Sequence, residues 1–111
     1  MFYGCTNLIS APALPATQIA PWCYRDMFCN CSSLTSAPSA LPATSLAPYC
    51  YYQMFLGCSK LNKSPSLPAT SLASSCYEDM FYGCTSLTSA PSALPATFLA
   101  PRCYRQMFYG C

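Results

Sequence analysis

The pair Met-Phe begins at Met1, Met27, Met54, Met80 and Met107, at steps of 26, 27, 26 and 27 residues. No other methionine exists in the chain, so the period is written by every copy of that residue. Two cysteine series keep the same step. One runs Cys5, Cys31, Cys58, Cys84, Cys111, and the other Cys23, Cys50, Cys76, Cys103. Self-similarity at 20–50 residues is the signature of stacked repeats, because a unit of this size buries too little apolar surface to hold itself together. Most arrangements open to a 111-residue chain are thereby excluded. The alternating step has a visible source: the link between the two central prolines is one residue longer in the long units (Ala-Pro-Ser-Ala-Leu-Pro) than in the short ones.

Within a unit, proline precedes x-Cys-Tyr-x-x-Met-Phe-x-Gly. Proline is favoured at a first helical position and glycine just beyond a helix end. This predicts a helix of about two turns, for example Pro48 to Leu56, closed by the column Gly4, Asn30, Gly57, Gly83, Gly110. Cys50, Tyr51, Met54 and Phe55 fall at i, i+1, i+4 and i+5, one apolar stripe. The proline-rich remainder is expected to hold a brief strand near Leu-Thr-Ser and then an extended return. Its leucines, and Ile19, Leu46, Leu72 and Leu99, are expected to point inward. The fold class expected is an α/β repeat solenoid. Residues 1–111 form a single domain of about four repeats, uncapped at both ends, belonging to a longer array or filament.

Composition narrows the function. Charged residues make up 7% and hydrophobic residues 53%, a balance foreign to disorder. Five scattered bases give no basic run, so no nucleic-acid partner is expected. Proline interrupts every apolar stretch, so no membrane span is expected. Histidine is absent, which removes the commonest general base and metal ligand. We therefore expect no enzyme, no cofactor and no metal. Cys50 and Met54 would suit copper(I), but no histidine or free carboxylate completes such a site. The cysteines themselves allow two readings: columns of small buried thiols, or a partial disulfide scaffold.

The run Met-Phe-x-Gly-Cys-x-Ser-Leu-Thr-x-Ala-Pro-x-Leu-Pro-Ala-Thr resembles the BspA-like leucine-rich repeats of bacterial and protist surface proteins. Phe81, Cys84, Leu87, Ala90, Leu94 and Pro95 stand where that class carries Phe, Cys, Leu, Ile, Leu and Pro. These units are three or four residues longer, and alanine or serine plus proline replaces the isoleucine. The resemblance implies an extracellular or cell-surface, non-catalytic role in adhesion or structure.

Positions that vary between units fall at i, i+3, i+4 and i+7 of the expected helix, opposite the apolar stripe. The candidate binding or assembly face is Trp22, Arg25, Tyr49, Tyr52, Leu56, Tyr82, Arg102, Arg105 and Tyr109. Trp, Tyr and Arg are the types enriched at interface hot spots. Expected partners are copies of this chain, end to end or lateral, giving a self-assembling filament. The alternative is a receptor or adhesin module that recognises a surface protein or glycan through the same face.

Overall fold

In a computed structural model, residues 2–111 are described. Their backbone hydrogen bonds follow one rule, seen best between Ala47 and Ser59. Alternate amides close tight turns within the unit: Cys50 to Ala47 O, Tyr52 to Tyr49 O, Met54 to Tyr51 O, Leu56 to Gln53 O, Cys58 to Phe55 O, at 3.1–3.3 Å. The amides between them leave for the next unit: Tyr49 to Ser74 O, Tyr51 to Cys76 O, Gln53 to Glu78 O, Phe55 to Met80 O, Gly57 to Tyr82 O, at 2.8–3.1 Å. The intervening carbonyls accept from the unit before, Cys50 O from Tyr24 and Met54 O from Phe28. Every amide from Tyr49 to Ser59 is satisfied without helix or sheet.

The α/β repeat solenoid expected from the sequence is therefore not formed. Among the described residues there is no helix, and strand-like pairing is limited to about 7% of the chain. An α-helix bonds each amide to the carbonyl four residues back. Here the bonds close over three residues or leave the unit, and every fourth residue is left-handed: Tyr49 (φ 57°), Gln53 (φ 52°) and Gly57 (φ 74°). One left-handed residue per four cannot propagate a right-handed helix. Pro48 and Tyr49 instead occupy the two central positions of a turn, proline first and positive φ second, the pattern of type II. The column read as helix ends is left-handed throughout, from Asn30 at 60° to Gly110 at 74°, but as the last of three such turns. The brief strands are reduced to isolated parallel bridges, Ser10 with Ser36 and Lys63 with Ser89 among them.

Units thus lie in parallel register, and like residues meet like. Phe2, Phe28, Phe55, Phe81 and Phe108 form a face-to-face series with ring centres 5.4–5.6 Å apart. Tyr24, Tyr51, Tyr77 and Tyr104 form a second, at 5.7–6.0 Å. Between them sit Met54, Met80, Cys50, Cys58, Cys76 and Cys84, all fully buried. The core is a bundle of columns, and the body around it is compact, with a radius of gyration of 12.4 Å. Leu46 points inward as expected, Ile19 and Leu72 are half-buried, and Leu99 in the last complete unit is exposed. Met1, first of the methionine series, lies outside the described residues.

Candidate functional site

The variable positions line up in columns from unit to unit, presented by turns and by no helix, and three of them, Cys29, Ser75 and Glu78, are buried. Two of their columns are left-handed: Trp22, Tyr49, Ser75, Arg102 at φ 54–64°, and Asp26, Gln53, Asp79, Gln106 at φ 49–55°. Positive φ is uncommon for bulky residues and costs about 1–2 kcal/mol at each. Inter-unit contacts offset that strain.

Four of the nine candidate residues meet at one end of the face. The Trp22 ring stacks on Tyr49 with centres 4.1 Å apart, and Tyr49 meets Tyr52 edge-on at 5.6 Å. The Arg25 guanidinium lies 4.9 Å from the Trp22 ring centre and 5.5 Å from that of Tyr52, within cation–π range of both. Its Nε also pairs with Asp26 Oδ2 at 3.1 Å. Trp22 remains 49% exposed, so the cluster is an open aromatic surface carrying one cation. At the other end Tyr82 stacks on Tyr109 at 4.9 Å, and Arg105 Nη1 reaches Glu78 Oε1 at 3.1 Å. Leu56 is half-buried and Arg102 exposed, and neither joins the cluster at Trp22.

Sequence reasoning missed the polar partners that tie this face together. Glu78 is only 5% exposed and depends on Arg105 for its counter-charge. Gln53 Nε2 donates to Asp79 Oδ2 at 3.2 Å and to Tyr52 Oη at 3.1 Å, bridging two units. Burial and the neighbouring Asp79 and Glu78 charges raise the Tyr52 phenol above its ordinary pKa. The alternation Asp26, Gln53, Asp79, Gln106 carried this signal, since amide opposite acid makes a ladder where acid opposite acid would repel. A shallow groove of about 290 Å³ also runs beside Pro38 and Lys63, with a second of about 310 Å³ beside Pro65 and Pro91. The extra serine of the long units gave no hint of it.

All ten cysteines are free thiols. Burial raises Cys76 to about 11 and Cys50 and Cys84 to about 12, so they stay protonated and non-nucleophilic. Among the described residues no three His, Cys, Asp or Glu side chains lie together to hold a metal ion. No described helix is long and apolar enough to cross a membrane. Against family models, curated proteins and solved structures the chain finds no match, so nothing there identifies the leucine-rich-repeat likeness as kinship.

Proposed function

We propose that this is a non-enzymatic structural or adhesive protein whose units stack into an extended array. The observation that carries the reading is the column arrangement: each interior unit presents on one side the donors that its other side accepts. Few charges and ring columns that run unbroken from unit to unit support the same view. The extracellular or cell-surface placement rests on the motif likeness alone. Sedimentation across a concentration series, with electron microscopy of the same samples, tests the reading. Concentration-dependent growth into fibres with a regular axial repeat is expected, and a monodisperse monomer at every concentration overturns it.

A second reading is favoured by one observation, the exposed Trp22 ring held between Tyr49 and Arg25. On it the face binds a surface protein or glycan. Trp22→Ala with Tyr52→Ala would then abolish adhesion to the ligand-bearing surface while leaving assembly intact.

A further inference from the structure

Neighbouring units differ in length by one residue, and the proline-rich segment takes up the difference. Phe28 stacks on Phe55, 27 residues further on, whereas Ala40 pairs with Ser66, 26 further on. The turns ending at Leu34 and Leu61 close alike, on Cys31 O and Cys58 O. The extra residue therefore lies beyond them, where residues 35–39 face residues 62–65, five against four. At the next junction Lys63 pairs with Ser89, 26 further on, while Leu67 recurs as Leu94, 27 further on, so residues 64–66 face residues 90–93. One residue too many on one side is a bulge, at which the ladder breaks. The grooves of about 290 and 310 Å³ open at these two places. Each junction has further repeat sequence on both sides.

The grooves run into one another, sharing Ser39, Lys63 and Ser64. Lys63 occupies a column that is serine in the other units, Ser10, Ser36 and Ser89. Its side chain is exposed and, among the described residues, holds no ion pair. No described carboxylate lines either groove; the chain's three, Asp26, Glu78 and Asp79, all belong to the turns. Serine hydroxyls flank Lys63 on both sides, Ser36 in the first groove and Ser66 and Ser92 in the second. The amides of Ala37, Ser39, Asn62 and Lys63 beside the first groove find no backbone acceptor among the described residues, nor do those of Ala90 and Ser92 beside the second. Pro38, Pro65 and Pro91 add ring faces, and no aromatic side chain is present.

We infer that this double groove binds an acidic oligosaccharide, with its carboxylate or sulfate on the Lys63 ammonium and its hydroxyls on the serines and open amides. The charge-assisted bond fixes one sugar. Hydroxyls that donate and accept at once match a lining with both kinds of group. An acidic peptide is disfavoured, because the bridges Ala40–Ser66 and Lys63–Ser89 close the ladder at the margins and leave no continuous strand edge to pair with. The site is separate from the cluster at Trp22, no member of which lines it, and it serves a single chain and an array alike.

Calorimetric titration of the full chain with oligogalacturonate and with a heparin oligosaccharide tests this, against a neutral maltooligosaccharide and poly-glutamate of similar length. Preference for an acidic oligosaccharide over both controls is expected. Lys63→Ser, which installs the residue of the other units, should weaken binding about tenfold, the worth of one charge-assisted hydrogen bond. Lys60→Ser removes the same charge outside the groove lining and should change affinity little. Deleting Ser39 converts Ala-Pro-Ser-Ala-Leu-Pro into the Ala-Pro-Ala-Leu-Pro of residues 11–15, removes the first bulge and should also weaken binding, with the circular dichroism spectrum unchanged. No binding to either acidic oligosaccharide, equal binding of poly-glutamate or the neutral sugar, equal losses at Lys60 and Lys63, or undiminished binding without Ser39 overturns the site. Sedimentation of the same samples reads stacking separately, so the failure of one is distinguishable from the failure of the other.

Discussion

The Cys58 thiol donates to the carbonyl oxygen of Phe28, 3.1 Å away and in the preceding unit. Cys84 does the same to Phe55, Cys111 to Phe81, and Cys31 to Phe2. Each of these carbonyls also closes the local turn of its own unit, Phe2 O with the Cys5 amide, Phe28 O with that of Cys31, Phe55 O with that of Cys58 and Phe81 O with that of Cys84. The thiol column therefore couples neighbouring units at the backbone and fills space as well.

Thiols held protonated by burial link stability to pH. A group whose folded pKa is raised contributes fully below its unfolded value and loses that contribution as pH rises through the folded one. Cys76 at about 11 and Cys50 and Cys84 at about 12, against 9 when unfolded, put the loss between about pH 9 and pH 12. Unfolding free energy should be nearly flat to pH 8 in this respect. Above pH 9 it should fall by roughly 1.4 kcal/mol per pH unit for each such thiol. Urea titrations at stepped pH measure the slope. In native protein a thiol reagent at pH 8 should modify Cys5, Cys23 and Cys111, which are exposed, well before the buried set.

Gly57 and Gly4 separate two effects that a sequence cannot. Both are left-handed, but a Cβ on Gly57 would collide with Asn30 Oδ1, while nothing lies within 4 Å of one on Gly4. Gly4→Ala should cost only the backbone strain, about 1–2 kcal/mol. Gly57→Ala should cost only a little more, since Asn30 Oδ1 is the far end of a flexible side chain that can turn aside, and Gly57→Ala combined with Asn30→Gly should remove that small difference. Denaturant midpoints at fixed m-value report it.

Phe55 is fully buried between Phe28 and Phe81, with ring centres at 5.5 and 5.6 Å. Phe55→Ala should destabilise by about 3–5 kcal/mol. Phe108→Ala, with one stacked neighbour and a partly exposed ring, should cost less than half as much. Equal costs in thermal melts would mean that the columns do not continue from unit to unit.

Glu78 is buried while its partner Arg105 is half exposed, so the two ends of the pair are not equivalent. Arg105→Ala strands a buried carboxylate and should cost about 1–3 kcal/mol. Glu78→Gln removes the buried charge and leaves only an exposed guanidinium unpaired, so it should cost less. A double-mutant cycle by chemical denaturation gives the coupling.

Far-ultraviolet circular dichroism checks the backbone directly. The turns over residues 20–31, 47–58 and 73–84 should give no helical minimum, and a helical spectrum would overturn the turn assignment.

The sequence by itself determined the period, the residues that form columns and the left-handed position of Asn30 and its glycine counterparts, because a repeat puts chemically identical groups at identical places. It also separated the apolar columns from the variable ones: Cys50, Tyr51, Met54 and Phe55 are all buried. Tertiary structure alone decided the backbone. Spacing at i, i+1, i+4 and i+5 is served equally by a helix of 3.6 residues per turn and by a succession of turns with a period of four. Proline and glycine suit either, as the first helical residue and the helix end, or as the central residues of a turn. What separates the two is where the Tyr49, Tyr51, Gln53 and Phe55 amides go, and their acceptors lie in the next unit at Ser74, Cys76, Glu78 and Met80. A local pattern carries no information about an acceptor 25 residues away, so the helix was the expectation and the inter-unit ladder the outcome.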